Sequence, residues 1–240
     1  MYIWLDRALE YFSHLPRTEP KLQLWRDFLL WSASQLSEPM NRDLQDQIIA
    51  RYGGDIRTLF MGAHRAIIAG VAEDSTQNVL LHLAVEFGVA SPSPAQYAGE
   101  TINQIFVQRI MDLTGKTDPD AALAAADGIT IHLANCNKEY GSSMIAMANV
   151  VRNRFRGNYQ EKAIFVSGGD SNEYSYLAPF IQLAIMGMPC YASPDGPIFC
   201  GNQQALFAPP SAFCSAEFFS PYWTCLLYTS PSPRDRSLSR

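Results

Sequence analysis

The densest run of residues able to do chemistry is Ser167-Gly168-Gly169-Asp170-Ser171-Asn172-Glu173, directly after the apolar stretch Ala163-Ile164-Phe165-Val166. Glycines let a backbone approach a ligand closely and expose its N–H groups. A helix starting just beyond would add a partial positive charge suited to an anion. Asp170 or Asn172 can cap that helix or hold a ribose hydroxyl, and Glu173, in the first turn, can do either. A second polar run, Asn135-Cys136-Asn137-Lys138-Glu139, follows another short apolar stretch. If both stretches are parallel strands, both runs lie at the carboxyl edge of the sheet, where α/β proteins hold ligands. Ser-Gly-Gly fits neither the G-x-G-x-x-G dinucleotide loop nor the G-x-x-x-x-G-K-[ST] triphosphate loop. The plainer alternative is a strand-to-helix turn capped by Asp170.

Other reactive side chains point to less. Arg152, Arg154 and Arg156 can meet a phosphate or form a solvated helix end, where cations suit the helix dipole. His132 reads as a satisfied core histidine. His64 and His82 sit in helical stretches without an evident partner and receive no role. Ser167 is not in G-x-S-x-G, which argues against a hydrolase nucleophile. The cysteines, Cys136, Cys190, Cys200, Cys214 and Cys225, include no C-x-x-C pair. A zinc site needs four converging ligands, usually in close pairs, so reduced thiols are expected instead of a metal.

The elements that must position these residues follow from periodicity. IWLDRALEYFSHL and KLQLWRDFLLWSASQL carry apolar residues at helical spacing, and Pro16 ends the first. Ser37-Glu38-Pro39 opens a third helix closed at Gly53-Gly54. IRTLFMGAHRAIIAGV and STQNVLLHLAVEFGV are two more, the second with Asp74 or Ser75 as its N-cap. Another runs from about Pro94 to Leu113. After Gly115 the pattern changes. Thr117-Asp118-Pro119 starts a short helix. GITIHLA, KAIFV and MPCYA read as strands, separated by the helices SSMIAMANVVRNRF and NEYSYLAPFIQLAIMG. Pro179 implies a kink or a late start in the last helix. Strand, helix, strand, helix, strand predicts a parallel sheet.

Bulk properties narrow the class. The chain has 240 residues, 48% hydrophobic and 17% charged, an ordinary globular composition. A net charge of −5 argues against a nucleic-acid or anionic-membrane partner. No apolar window is long enough for a transmembrane helix, and the N-terminus lacks the pattern of a signal peptide, so a cytoplasmic location is expected. CLLYTSPSPRD, within residues 225–240, resembles a translated reading frame of a sequencing-library adapter and is expected to be a non-native tail. Setting aside Arg234, Arg236, Arg240 and Asp235 leaves 15 basic and 22 acidic side chains, a net −7. The α/β part is then expected to be truncated near Thr224.

ADGITIHLAN, a helix ending RFRGNYQ, EKAIFVSGG, Asn172-Glu173 and MGMP together resemble the YdcF/SanA-like group across residues 126–189. The resemblance implies a Rossmann-like domain. It places Asn135, Ser167, Gly168, Gly169 and Glu173 along the site. It also implies a small nucleotide-like or S-adenosylmethionine-like ligand, with undefined chemistry. Two departures stand out: NCNKE lacks the glycines of the family's first loop, and no Thr-x-x-Asn segment follows the third strand. A similar segment, Glu73–Asn78, lies on the other side in sequence. NKEYGSSMIAMANVVRNRF and SPDGPIF are also similar to parts of SleB-type cell-wall hydrolases. The essential carboxylate there would fall at Asn135, an amide that cannot act as a general acid, leaving Glu139.

The expected fold class is α/β: a helical N-terminal half, residues 1–115, plus a small, incomplete parallel-sheet Rossmann-like part, residues 116–224. The expected function is small-molecule binding through Asn135, Ser167, Gly168, Gly169, Asp170, Asn172 and Glu173, with S-adenosylmethionine or a nucleotide as cofactor. The alternatives are a helical interaction protein, binding a protein partner through the N-terminal half, and a wall hydrolase.

Overall fold

The computed structural model describes residues 2–37, 42–53, 55–92, 99–125, 129–133, 140–154, 163–169, 174–194 and 206–208. Seven helices come first: α1 (Ile3–Ser13), α2 (Lys21–Leu36), α3 (Arg42–Tyr52), α4 (Ile56–Glu73), α5 (Val79–Phe87), α6 (Gly99–Thr114) and α7 (Pro119–Ala125). Then strands and helices alternate: β1 (Ile129–Leu133), α8 (Ser142–Arg154), β2 (Ala163–Gly169), α9 (Leu177–Ile185), β3 (Cys190–Pro194) and β4 (Leu206–Ala208). The class is α/β with a helical majority. Among the described residues, no helix is long and apolar enough to cross a membrane.

α1 buries Trp4, Ala8 and Phe12, spaced four apart on one stripe, and lies along α4. Two glycines of α4 permit that approach. A Cβ on Gly62 would sit 2.4 Å from the Tyr11 ring, and one on Gly70 would sit 2.6 Å from the Trp4 indole. Phe12, Trp25, Phe28 and Phe60 form the centre of the helical core. Phe28 meets Phe12 edge-on at 5.0 Å and Phe60 edge-on at 5.4 Å, geometries that suit the aromatic quadrupoles. α3 is tied to α2 at the buried Asp27. Its carboxylate accepts from Arg51 Nη1 at 3.0 Å, from Gln23 Nε2 at 3.2 Å and from the Tyr52 hydroxyl. A buried carboxylate is tolerated only when it is paired in this way.

The sheet runs in the order β1-β2-β3-β4. β1 and β2 are parallel, with Phe165 opposite Ile131, and β2 and β3 are parallel, with Phe165 opposite Cys190. β4 closes the far edge antiparallel to β3. β2 is therefore a central strand with parallel neighbours on both sides. Phe165 and Ser167 are buried while Ile164 and Val166 are half-buried, the alternation of a pleated strand.

α9 joins the two parts. All nine of its residues are buried. It packs on α2, α4 and α5 of the helical half and on α8, β2 and β3 of the other part. A helix apolar all round but for Gln182, LAPFIQLAI, has to be enclosed in this way. Pro179 falls in its first turn, where the missing N–H has no intrahelical partner to lose. Of the two outcomes the proline allows, the late start is realised. The buried apolar residues of both parts form one continuous core, from Trp4 to Ala192.

Candidate functional site

β1 and β2 are parallel, so their carboxyl ends lie at the same edge of the sheet. Ser167, Gly168 and Gly169, expected at the start of a loop, are the last three residues of β2 instead. β3 runs alongside them, pairing Ser167 with Ala192, Gly168 with Ser193 and Gly169 with Pro194. A ladder needs only backbone groups, so a neighbouring strand carries the pairing through glycines that propensity would end. Ser167 is 1% exposed and its Oγ donates to Tyr191 O at 3.2 Å. Its hydroxyl is a strut between strands. Asn135, Asp170, Asn172 and Glu173 lie outside the described residues, as do Cys136 and Glu139.

The return points of the two connections are described, and they are alike. The chain re-enters α8 through Tyr140 and Gly141, at φ 50° and 71°. It re-enters α9 through Tyr174, at φ 56°. Tyrosine with positive φ is uncommon and costs roughly 1–2 kcal/mol, so the surroundings must hold it. Tyr174 O accepts from Leu177 N at 2.9 Å, which satisfies a free amide at the start of α9. The two helix starts also touch. A Cβ on Gly141 would lie 2.4 Å from Pro179 Cβ, so only glycine lets the beginning of α8 pass the first turn of α9.

The segment Asp74–Asn78, between α4 and α5, grips both of these helices. Asn78 caps α5, its Oδ1 accepting from Leu81 N at 3.0 Å. Its Nδ2 donates to Tyr140 O at 3.0 Å and to Ser142 Oγ at 2.9 Å. Gln182 of α9 reaches back: Nε2 donates to Gln77 O at 2.5 Å, and Oε1 accepts from Val79 N at 3.0 Å. Asn149 Nδ2 donates to Ser75 O at 3.0 Å, and Arg152 Nη1 donates to Ser75 Oγ at 2.8 Å. Arg152, a possible phosphate ligand by sequence, is thus occupied at this joint. Asn78, not Asp74 or Ser75, is the cap of α5. Asp74 instead accepts from Thr76 Oγ1, Thr76 N and Gln77 Nε2, which holds its carboxyl below the usual range despite the opposing effect of partial burial. Sequence reasoning missed this joint, although one glutamine inside LAPFIQLAI was its signal.

His64, given no role by sequence, is 5% exposed and shares a hydrogen bond of 2.5 Å between its Nδ1 and Ser32 Oγ. Burial pushes its imidazole down to about 4. Cys190 is fully buried, with Sγ 3.6 Å from Phe180 O, and burial raises its thiol well above the ordinary value. It is a packing residue, not a nucleophile. Among the described residues, no group of three or more His, Cys, Asp or Glu is placed to hold a metal. A cleft of about 460 Å³ lies between the end of α1, the start of α2 and the end of α5. Its floor is Phe12, Leu15, Leu24 and Phe87, and its rim carries Arg17, Glu19, Lys21 and Glu86. Lys21 Nζ donates to Phe87 O at 3.1 Å.

Comparison of the chain with protein-family models, with curated proteins and with solved structures finds no match.

Proposed function

We propose that this is a small-molecule-binding α/β protein whose ligand sits at the carboxyl edge of β1 and β2, against the starts of α8 and α9. The observation that carries this reading is the close approach of Gly141 to Pro179, which brings together the starts of the two helices that follow the adjacent parallel strands β1 and β2 in the chain. Such an edge is the usual ligand position in α/β sheets. Adjoining helix starts favour an anionic group. The resemblance to the YdcF/SanA-like group supplies the ligand class, nucleotide-like or S-adenosylmethionine-like. Asn135, Ser167, Gly168, Gly169, Asp170, Asn172 and Glu173 are the proposed lining, with the Ser167 hydroxyl engaged by Tyr191 O as a strut beneath it.

A thermal-shift screen against S-adenosylmethionine, ATP and NAD tests the reading. A ligand at a hundred times its Kd stabilises by about 2.7 kcal/mol. For a chain of this size that raises Tm by roughly 5–10 °C. Unchanged Tm with all three at millimolar concentration would remove the basis for the proposal.

A further inference from the structure

We infer that the helical half positions the ligand edge, and that Asn78 and Trp25 are the residues through which it does so. Both act on Tyr140, where the first connection re-enters α8. Asn78 Nδ2 holds the Tyr140 carbonyl at 3.0 Å, and Trp25 Nε1 donates to the Tyr140 hydroxyl at 3.2 Å. Trp25 is fully buried and Tyr140 is 7% exposed, so both hydrogen bonds are sheltered from water. One fixes the backbone and the other the ring, and together they hold a tyrosine at φ 50°. Losing either one loosens the hold on Tyr140, since a left-handed tyrosine is unfavourable by itself. The neighbouring Gly141 has no room to compensate, because it passes against Pro179. The start of α8 would then move relative to α9.

The geometry explains why asparagine stands at position 78. Capping alone is served as well by Asp, Ser or Thr. Asp has no proton to donate and a hydroxyl has one, whereas the amide accepts from Leu81 N while donating to both Tyr140 O and Ser142 Oγ. Asn78→Asp therefore separates the two tasks, keeping the cap and losing the donor. Tyr140→Phe is the complementary change, keeping the ring and losing the acceptor for Trp25.

The consequence for ligand rests on the reading above; the consequence for structure does not, and the experiment reads both. Hydrogen–deuterium exchange follows the first turn of α8, where Ile145 N bonds Gly141 O at 3.0 Å, and the body of α5. Loss of one sheltered hydrogen bond should raise exchange at the start of α8 about tenfold in each variant, leaving α5 unchanged. Unchanged exchange in both variants, or an equal rise in α5 and α8, overturns the inference. In parallel, the affinity for whichever of S-adenosylmethionine or ATP stabilises the wild type should fall about tenfold in each variant. If the start of α8 loosens and neither compound stabilises the wild type, the positioning role stands and the ligand reading falls. Exchange at α8 that rises while affinity holds overturns the claim that this joint serves the ligand edge.

Discussion

Protonation of His64 should weaken this fold in acid. Its imidazole lies between α4 and α2, hydrogen-bonded to Ser32 and edge-on to the Trp31 ring at 6.1 Å. Burial lowers its pKa from 6.5 to about 4, so the folded protein binds its proton less readily than the unfolded chain does. The stabilisation of the neutral form is complete above pH 6.5 and is lost as pH falls toward 4. The full difference corresponds to about 3 kcal/mol, at 1.36 kcal/mol per unit. About 2 kcal/mol of it falls between pH 7 and pH 5. That is equivalent to a drop in Tm of roughly 4–8 °C. The assay is urea denaturation of the wild type and of His64→Gln at pH 7, 6 and 5. Carboxylates such as Asp74, whose pKa is also lowered, lose stability in acid but do so equally in both proteins. The difference between the two stability curves therefore isolates the histidine. His64→Gln should be less stable at pH 7 and should close the gap by about 2 kcal/mol at pH 5. Parallel curves would refute the reasoning and mean that His64 is solvated or paired in its charged form.

The other predictions concern packing and the joint between the two parts. Gly70→Ala forces a methyl against the Trp4 indole, itself 3% exposed, and should destabilise by about 1–3 kcal/mol, read by chemical denaturation. The better helix propensity of alanine returns less than 1 kcal/mol of this. Gln182→Leu keeps the volume but strands Val79 N–H and Gln77 O, and should lose about 2–4 kcal/mol; a neutral result would mean that water replaces the amide. The Tyr52 hydroxyl is held protonated above its ordinary pKa of 10, first by burial and then by Asp27. Its contribution is present below pH 10 and lost above it, and Asp27→Asn should bring its absorbance-monitored ionisation back toward 10.

Much of the architecture was legible because it rests on local pattern. The stripe of α1, the apolar run of β2 and the proline-delayed start of α9 all follow from neighbours within a few residues. What was illegible depends on distant partners. Asp74, Ser75 and Asn78 are all acceptable caps, and only the carbonyl of Tyr140, 62 residues away, selects Asn78. His64 has no sequence sign of a partner, because Ser32 lies on another helix. Ser167-Gly168-Gly169 reads as a loop until β3 is placed beside it. Of the expected ligand residues, these three are described, and the legible part of the site is its frame: two parallel strands and the helix starts beyond them.

The enclosure of α9 bears on how the chain is made. α2 emerges from the ribosome about 150 residues before α9, and at roughly 5–20 residues per second that is a wait of some 8–30 s. Until α9 emerges, the face of α2 that later covers it, and for about the last 90 residues that of α5, has no partner. Collapse of the first helices on Phe28 and Phe60 is local and fast, but the surface meant for α9 stays open to other chains. The yield of native protein should therefore depend on translation speed and chaperone supply more than on the final stability of the fold.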